Sequence, residues 1–186
     1  PVKTQGGGVV YDDHTQGYVS RYTHVAYGMG YIVTKEELDD NLYADVSMGR
    51  AESLAFSLRQ TEENVGANVL NRGFNASYTG GDGLELFSTA HTNTAGGTWS
   101  NELNPAADFS EASLEDLSIQ IMSATNPRGL KISLQPKRLI VPVNLAFEVE
   151  RVLKSELQND SANNAINALK ARGMIPEVAV NHYLTD

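Results

Sequence analysis

The sequence predicts an α+β protein of elongated build: an extended N-terminal β arm, one long helix, a glycine-rich loop region and an α/β end. Three observations predict it. Residues 17–27, GYVSRYTHVAY, alternate in the manner of a strand. Between Met48 and Arg72 a narrow stripe of Ala51, Leu54, Leu58, Thr61, Val65 and Val69 recurs at helical spacing. From Pro136 a short apolar run, a second proline and a further helical pattern follow one another.

The arm spans residues 1–31. It holds Tyr11, Tyr18, Tyr22, Tyr27 and Tyr31, five of the eight tyrosines, and no leucine. As a strand it would place Tyr18, Ser20, Tyr22, His24 and Ala26 on one face and Val19, Arg21, Thr23, Val25 and Tyr27 on the other. Neither face is cleanly apolar, unlike a strand laid on a closed core. Aromatic and Arg enrichment with few aliphatics is the composition of a protein–protein contact. Tyr18, Arg21, Tyr22 and Tyr27 are therefore candidate subunit-interface residues; an ordinary edge hairpin is the bland alternative.

The second region spans 32–108. Thr34-Lys35-Glu36-Glu37 reads as a capping box, with Leu38, Leu42 and Val46 following at spacing four. In the helix after Met48, Leu54 and Leu58 are assigned to the buried contact and Glu62 and Glu63 to solvent. A compact 186-residue globule is about 41 Å across, whereas a helix from Met48 to Arg72 spans about 36 Å and one from Lys35 to Asn71 about 55 Å. Residues 71–108 read as a long irregular stretch with six glycines and an apolar island at Leu84-Glu85-Leu86-Phe87; loops of that length usually serve as contact surfaces. Trp99 is either a ligand platform or the anchor of this loop, and joins Leu54 and Leu58 as an interface candidate.

The third region, 109–186, is an α/β part. Leu114, Leu117, Ile121 and Ala124 mark a helix stopped by Asn126-Pro127; Leu130 to Leu134 reads as a strand, Arg138 to Val141 as a buried strand, and Pro142 to about Leu157 as a helix. A polar loop at 159–164, a short helical turn at 166–171 and a last strand at 177–183 complete it. The chain starts at Pro1 and stops on that strand, so it is expected to be a piece of a longer protein, with an open edge at 177–183 and a partly uncovered face at Val149 and Val152.

Composition removes several functions. There is no cysteine, hence no disulfide scaffold, thiolate zinc site or cysteine nucleophile. Lys plus Arg is 14 against Asp plus Glu 23, a net charge of -9 that disfavours tight binding to a phosphate backbone. No stretch approaches the ~20 apolar residues of a membrane span. Phosphate-loop and serine-hydrolase motifs are absent; Gly28-Met29-Gly30 is half a dinucleotide fingerprint, without its third glycine. No catalytic, cofactor or metal residue is assigned.

Four stretches resemble the major capsid proteins of tailed bacteriophages, especially the Mu-like major head protein group. They are Tyr31 to Leu42, which resembles the approach to the family's long helix; Gly83 to Asn93, similar to a loop motif of an apolar pair, a small residue and then His; Leu114 to Ala124; and Pro136 to Ser155, similar to a strand–Pro–helix signature. Together they cover roughly 9–183. The resemblance implies the Hong Kong ninety-seven capsid fold: an arm that reaches a neighbour, a long spine helix across a peripheral domain, and an axial domain. It implies an icosahedral head subunit that self-assembles into pentamers and hexamers around double-stranded DNA without sequence-specific binding. Scaffold or decoration proteins would be further partners, with no membrane, no cofactor and no enzymatic activity; the place would be the virion capsid, and the host cytoplasm during assembly. A nanocompartment shell is the alternative of similar fold. A metal-dependent hydrolase built on Asp12, Asp13, His14 and His91 is the alternative of a different class.

Overall fold

A computed structural model describes residues 5, 8, 11, 16–40, 47–158 and 165–185. The Asp12-Asp13-His14 cluster, Leu42, Val46 and the polar loop at 159–164 lie outside the described residues.

Residues 16–34 run extended and exposed, apart from a half-buried Val33, with no strand ladder. The alternation is real but meets no partner strand within the described residues, where residues 16–34 form no ladder of their own. Thr34 then starts α1, Lys35–Asp39, with its Oγ1 accepting the Glu37 amide and the Glu37 carboxylate accepting the Thr34 amide. Glu37 also takes both ends of the Arg50 guanidinium, at 2.7 and 3.1 Å. That bond, with help from the Thr34 amide, holds the Glu37 carboxyl below the usual range.

Arg50 belongs to α2, Met48–Asn71, a helix of 24 residues. Its one-sided pattern is borne out only weakly by burial: Ala67 is its buried residue, Leu54 is half-buried, and Glu62 and Glu63 are exposed. Leu58, assigned to the buried contact, is 36% exposed. Among the described residues, one face of α2 is left uncovered. At its end Gly73 is buried because the Phe87 ring lies where a Cβ would be, 2.5 Å away.

Residues 74–110 are turns around one small antiparallel ladder of β1, His91–Thr92, and β2, Thr98–Trp99. Ser110 caps α3, Glu111–Met122, through a reciprocal pair with Ser113. The strand expected at Leu130–Leu134 does not form; the segment is exposed and makes one isolated bridge, Thr125 to Lys131. Its neighbour, residues 124–126, is cut short by the turn at Pro127 and pairs over one bridge only. β3, Arg138–Pro142, does form, and leads through a 3-10 turn, Val143–Leu145, into α4, Ala146–Lys154. After α5, Ala168–Arg172, the chain turns left-handed at Gly173 (φ 56°) and enters β4, Glu177–Asn181. β4 lies parallel to β3, Arg138 opposite Glu177 through Pro142 opposite Asn181. This two-stranded sheet has open outer edges among the described residues.

The core sits between α3, α4 and α5. Leu114, Val152 and Leu169 form its centre, with Phe109, Leu139 and Ile175 packed around them. Val149 and Val152 are 0% and 4% exposed, so the uncovered face expected there is in fact closed by this chain. Asn167 is buried among them and works with every polar atom: its Nδ2 donates to the Val152 carbonyl and its Oδ1 caps α5 at the Lys170 amide. A further tie crosses the molecule. Asn71, at the end of α2, donates to the Tyr183 carbonyl and accepts the Thr185 amide, both at 3.0 Å.

The accessible surface is 14436 Å², whereas a compact monomer of 20.2 kDa exposes about 8,800 Å². Tyr22, Ile32, Phe56, Phe74 and Phe147 are all more than two-thirds exposed.

Candidate assembly surface

The arm does not hang free of the chain. It crosses the loop at 78–92, and the crossing is built on backbone. Gly81 has no side chain, and a Cβ there would sit 2.4 Å from the Val19 carbonyl oxygen and 2.7 Å from its carbon. The Gly81 amide donates to Ser20 Oγ at 3.0 Å. The Thr92 hydroxyl donates to the Tyr18 hydroxyl at 3.2 Å. Between arm, α2 and this loop lies an open cleft of about 600 Å³, lined by Arg21, Tyr22, Tyr27, Val65, Val69 and Arg72 among others. The Arg72 guanidinium covers the Tyr78 ring at 4.7 Å, a cation–π contact on the wall of that cleft.

The loop owes its shape to a group of side chains that periodicity does not reveal. His91 is 7% exposed. Its Nδ1 lies 2.6 Å from Asp82 Oδ2 and its Nε2 3.3 Å from the Leu86 carbonyl. Trp99 stacks on the imidazole with centroids 4.8 Å apart and planes at 26°. Asn101 ties the same loop from the other side, donating to the Leu86 carbonyl at 2.7 Å and accepting the Ser88 amide at 2.8 Å. The hydrogen bond from His91 is the main reason the Asp82 carboxyl is held below its usual range. Sequence reading placed His91 in a loop motif and offered it as a metal ligand. Both of its nitrogens are already engaged, and among the described residues no three His, Asp or Glu side chains converge on one point.

The structure places the seven interface candidates unevenly. Tyr18, Tyr22 and Tyr27 are half or more exposed along the arm, with Arg21 between Tyr18 and Tyr22, and the Tyr18 hydroxyl is bonded to Thr92. Leu54 faces a shallower groove, where Met29 and Tyr31 of the arm pass Gly49, Arg50 and Ser53 of α2. Leu58 lies further along α2, more open to solvent. Trp99 is 48% exposed, with one face on His91. It anchors the loop through that histidine rather than through the apolar core. The residues that sequence reasoning missed are Gly81, Asp82 and Thr92. The two adjacent glycines Gly80-Gly81, followed by an acid and, nine positions later, the histidine, were the available signal.

The surface therefore consists of an exposed tyrosine-bearing segment, a cleft beneath it, and an α2 face left open among the described residues. No curated protein matches the chain. A family model described as phage capsid protein matches residues 17–186. Among solved structures, the capsid of bacteriophage JBD30, decorated with minor capsid protein trimers, matches with a TM-score of 0.59 and 13% identity, over 91% of this chain and 85% of that one. The likeness in fold is a mixed helix-and-strand capsid architecture.

Proposed function

The chain belongs to the phage capsid protein family and is a structural subunit of a phage head, and from that premise we propose how it assembles. Copies associate into the pentamers and hexamers of an icosahedral shell that encloses double-stranded DNA without reading its sequence. The observation that carries this is the excess of surface. The chain exposes 14436 Å², several thousand Å² above a compact monomer of its mass. That excess matches the 2,000–5,000 Å² and more that obligate interfaces bury.

Within that reading, residues 1–31 are the arm, 32–108 carry the spine helix and peripheral loops, and 109–186 form part of the axial domain of a Hong Kong ninety-seven-type fold. Tyr18, Arg21, Tyr22, Tyr27, Leu54, Leu58 and Trp99 are the side chains offered to neighbours. Aromatic and Arg side chains dominate interface energetics, and a neighbour would bury the three arm tyrosines that this chain leaves out. The net charge of -9 suits a wall that holds DNA loosely enough to release it. The subunit acts by contact alone, without a catalytic centre. It is made and assembled in the host cytoplasm and ends in the virion, and decoration proteins such as those on the JBD30 capsid are a fitting class of further partner.

Expression of the full-length protein followed by negative-stain electron microscopy tests the reading. Closed shells of uniform diameter are the expected result. A protein that stays monomeric in sedimentation at every concentration and ionic strength would refute it.

A further inference from the structure

We propose that the Asp82–Gly83 link is a site of spontaneous backbone modification, the isomerisation of aspartate to isoaspartate, and that His91 is the positioning residue that holds it in check. The inference stands on this one chain and is independent of how copies assemble.

Aspartate followed by glycine is the pair most open to this reaction, because glycine brings no side chain to hinder the approach of its nitrogen to the preceding carboxyl. Asp82-Gly83 is the sole Asp-Gly step in the sequence, and no asparagine precedes a glycine. The step lies at the arm's seat. Gly83 is exposed, has a φ of 82°, and has nothing within 4 Å of where a Cβ would be. In the reaction the Gly83 nitrogen bonds to Asp82 Cγ. A Cγ–O bond breaks, and that oxygen leaves as water with the amide proton and one proton taken up by the carboxylate. Water then opens the cyclic imide at either carbonyl. One opening returns aspartate; the other gives isoaspartate, of the same mass, with the main chain rerouted through Cγ.

Three contacts oppose it. Asp82 Oδ2 lies 2.6 Å from His91 Nδ1, and Oδ1 accepts the Leu84 amide at 3.4 Å, so the carboxyl is tied at both oxygens and must let go before Cγ can meet the nitrogen. The His91 bond is also the main reason that carboxyl is held below its usual range, which makes the protonated form that loses water scarcer. The Gly83 amide donates to the Gly80 carbonyl at 3.2 Å, which slows the loss of its proton. Of these holds the imidazole is the strongest, because its bond is short and goes to a charged acceptor. The ring is itself fixed: it is 7% exposed, stacked on Trp99, with Nε2 3.3 Å from the Leu86 carbonyl. The bond requires only an Nδ1–H, which the protonated ring and one tautomer of the neutral ring both supply. Modification would remove it, since Cγ becomes main chain, and would shift Gly81, whose amide donates to Ser20 of the arm.

The test is slow ageing. The full chain is kept in warm neutral buffer for several weeks beside a free peptide of residues 78–92. Isoaspartate at Asp82 is then measured by peptide mapping with electron-transfer fragmentation, which distinguishes the two isomers. The native chain should isomerise about ten- to a hundredfold more slowly than the peptide, the factor set by a charge-assisted bond that must break first. His91→Phe, which keeps a ring against Trp99 and has no N–H, should approach the rate of the peptide. His91→Asn, whose Nδ2 can stand where Nδ1 does, should restore most of the protection. Equal rates in native chain and peptide, or a His91→Phe chain as slow as the native one, would overturn the proposal. Should His91→Phe fail to fold, heteronuclear NMR of the native imidazole decides: a proton on Nδ1 upholds the bond, and a ring protonated on Nε2 alone overturns it.

Discussion

Gly81→Ala is the smallest change that should unseat the arm. The alanine Cβ would lie 2.4 Å from the Val19 carbonyl oxygen, 2.7 Å from its carbon and 3.0 Å from its nitrogen. All three are backbone atoms, so no side-chain rotation relieves the overlap. Carbon–oxygen contacts close no further than about 3.3 Å, so the arm must retreat by about 0.9 Å. That retreat stretches the 3.0 Å bond from the Gly81 amide to Ser20 past hydrogen-bonding range, and it draws Tyr18 from Thr92. Two bonds at ~0.5–1.5 kcal/mol each amount to ~1–3 kcal/mol, or about a 5- to 140-fold fall in the docked fraction. Because the arm is exposed and remote from the α3–α4–α5 core, global unfolding in urea should move by less than ~0.5 kcal/mol. Tryptic cleavage after Arg21 reads the first quantity, and the urea midpoint the second. Gly83→Ala is the control: its φ of 82° strains any side chain, yet nothing lies within 4 Å of the new Cβ, so it should loosen the loop without striking the arm. Unchanged cleavage in Gly81→Ala, or equal acceleration in both variants, would refute the reasoning.

Asn167→Ala should cost ~2–4 kcal/mol in urea unfolding, from a lost cap on α5 and an orphaned Val152 carbonyl in the core; Asn167→Asp, which keeps the cap acceptor but sets a buried carboxylate oxygen against that carbonyl, should cost at least as much as alanine at neutral pH. Replacement of Tyr18, Tyr22 and Tyr27 together by Ser should leave soluble subunits that form no shells, checked by electron microscopy; normal shells would remove the arm from the interface. Val152→Ala should lower the urea midpoint far more than Glu63→Ala, since one is 4% exposed and the other faces solvent. Asp82 has its carboxyl held below the usual range, so the stability it lends is present above that range and disappears as pH falls through the lowered value. The stability gap between the native chain and Asp82→Asn should accordingly persist at neutral pH and close in acid.

What could be read from sequence was what is decided within a few residues. The Thr34–Glu37 box was legible because its donors and acceptors are three positions apart, and the structure makes both bonds. The α2 limits and the β3–α4 order were legible for the same reason. Pairing was not. Leu130, Ile132 and Leu134 alternate as well as any strand in the chain, yet their segment gains a single bridge, to Thr125, and they stay exposed. Arm residues 17–27 fail in the same way. Ile140 is 45% exposed in a strand that does pair, so apolar content alone could not separate the two cases. The arm seat was illegible because it depends on an absent side chain at Gly81 and on a histidine–aspartate contact across a loop. Neither leaves a period in the sequence.

Asn71 invites a mechanical view. α2 is a stiff rod, and the parallel β3–β4 pair resists sliding along five residues in register. One amide side chain joins them, gripping the chain just beyond β4 by its Tyr183 carbonyl and its Thr185 amide. Tension along the rod thus arrives at the sheet through two bonds in parallel. Two such bonds, at about 0.5–1.5 kcal/mol each, are weak beside 24 residues of continuous helix and a ladder of five residues, so this clasp is the first link to part under load.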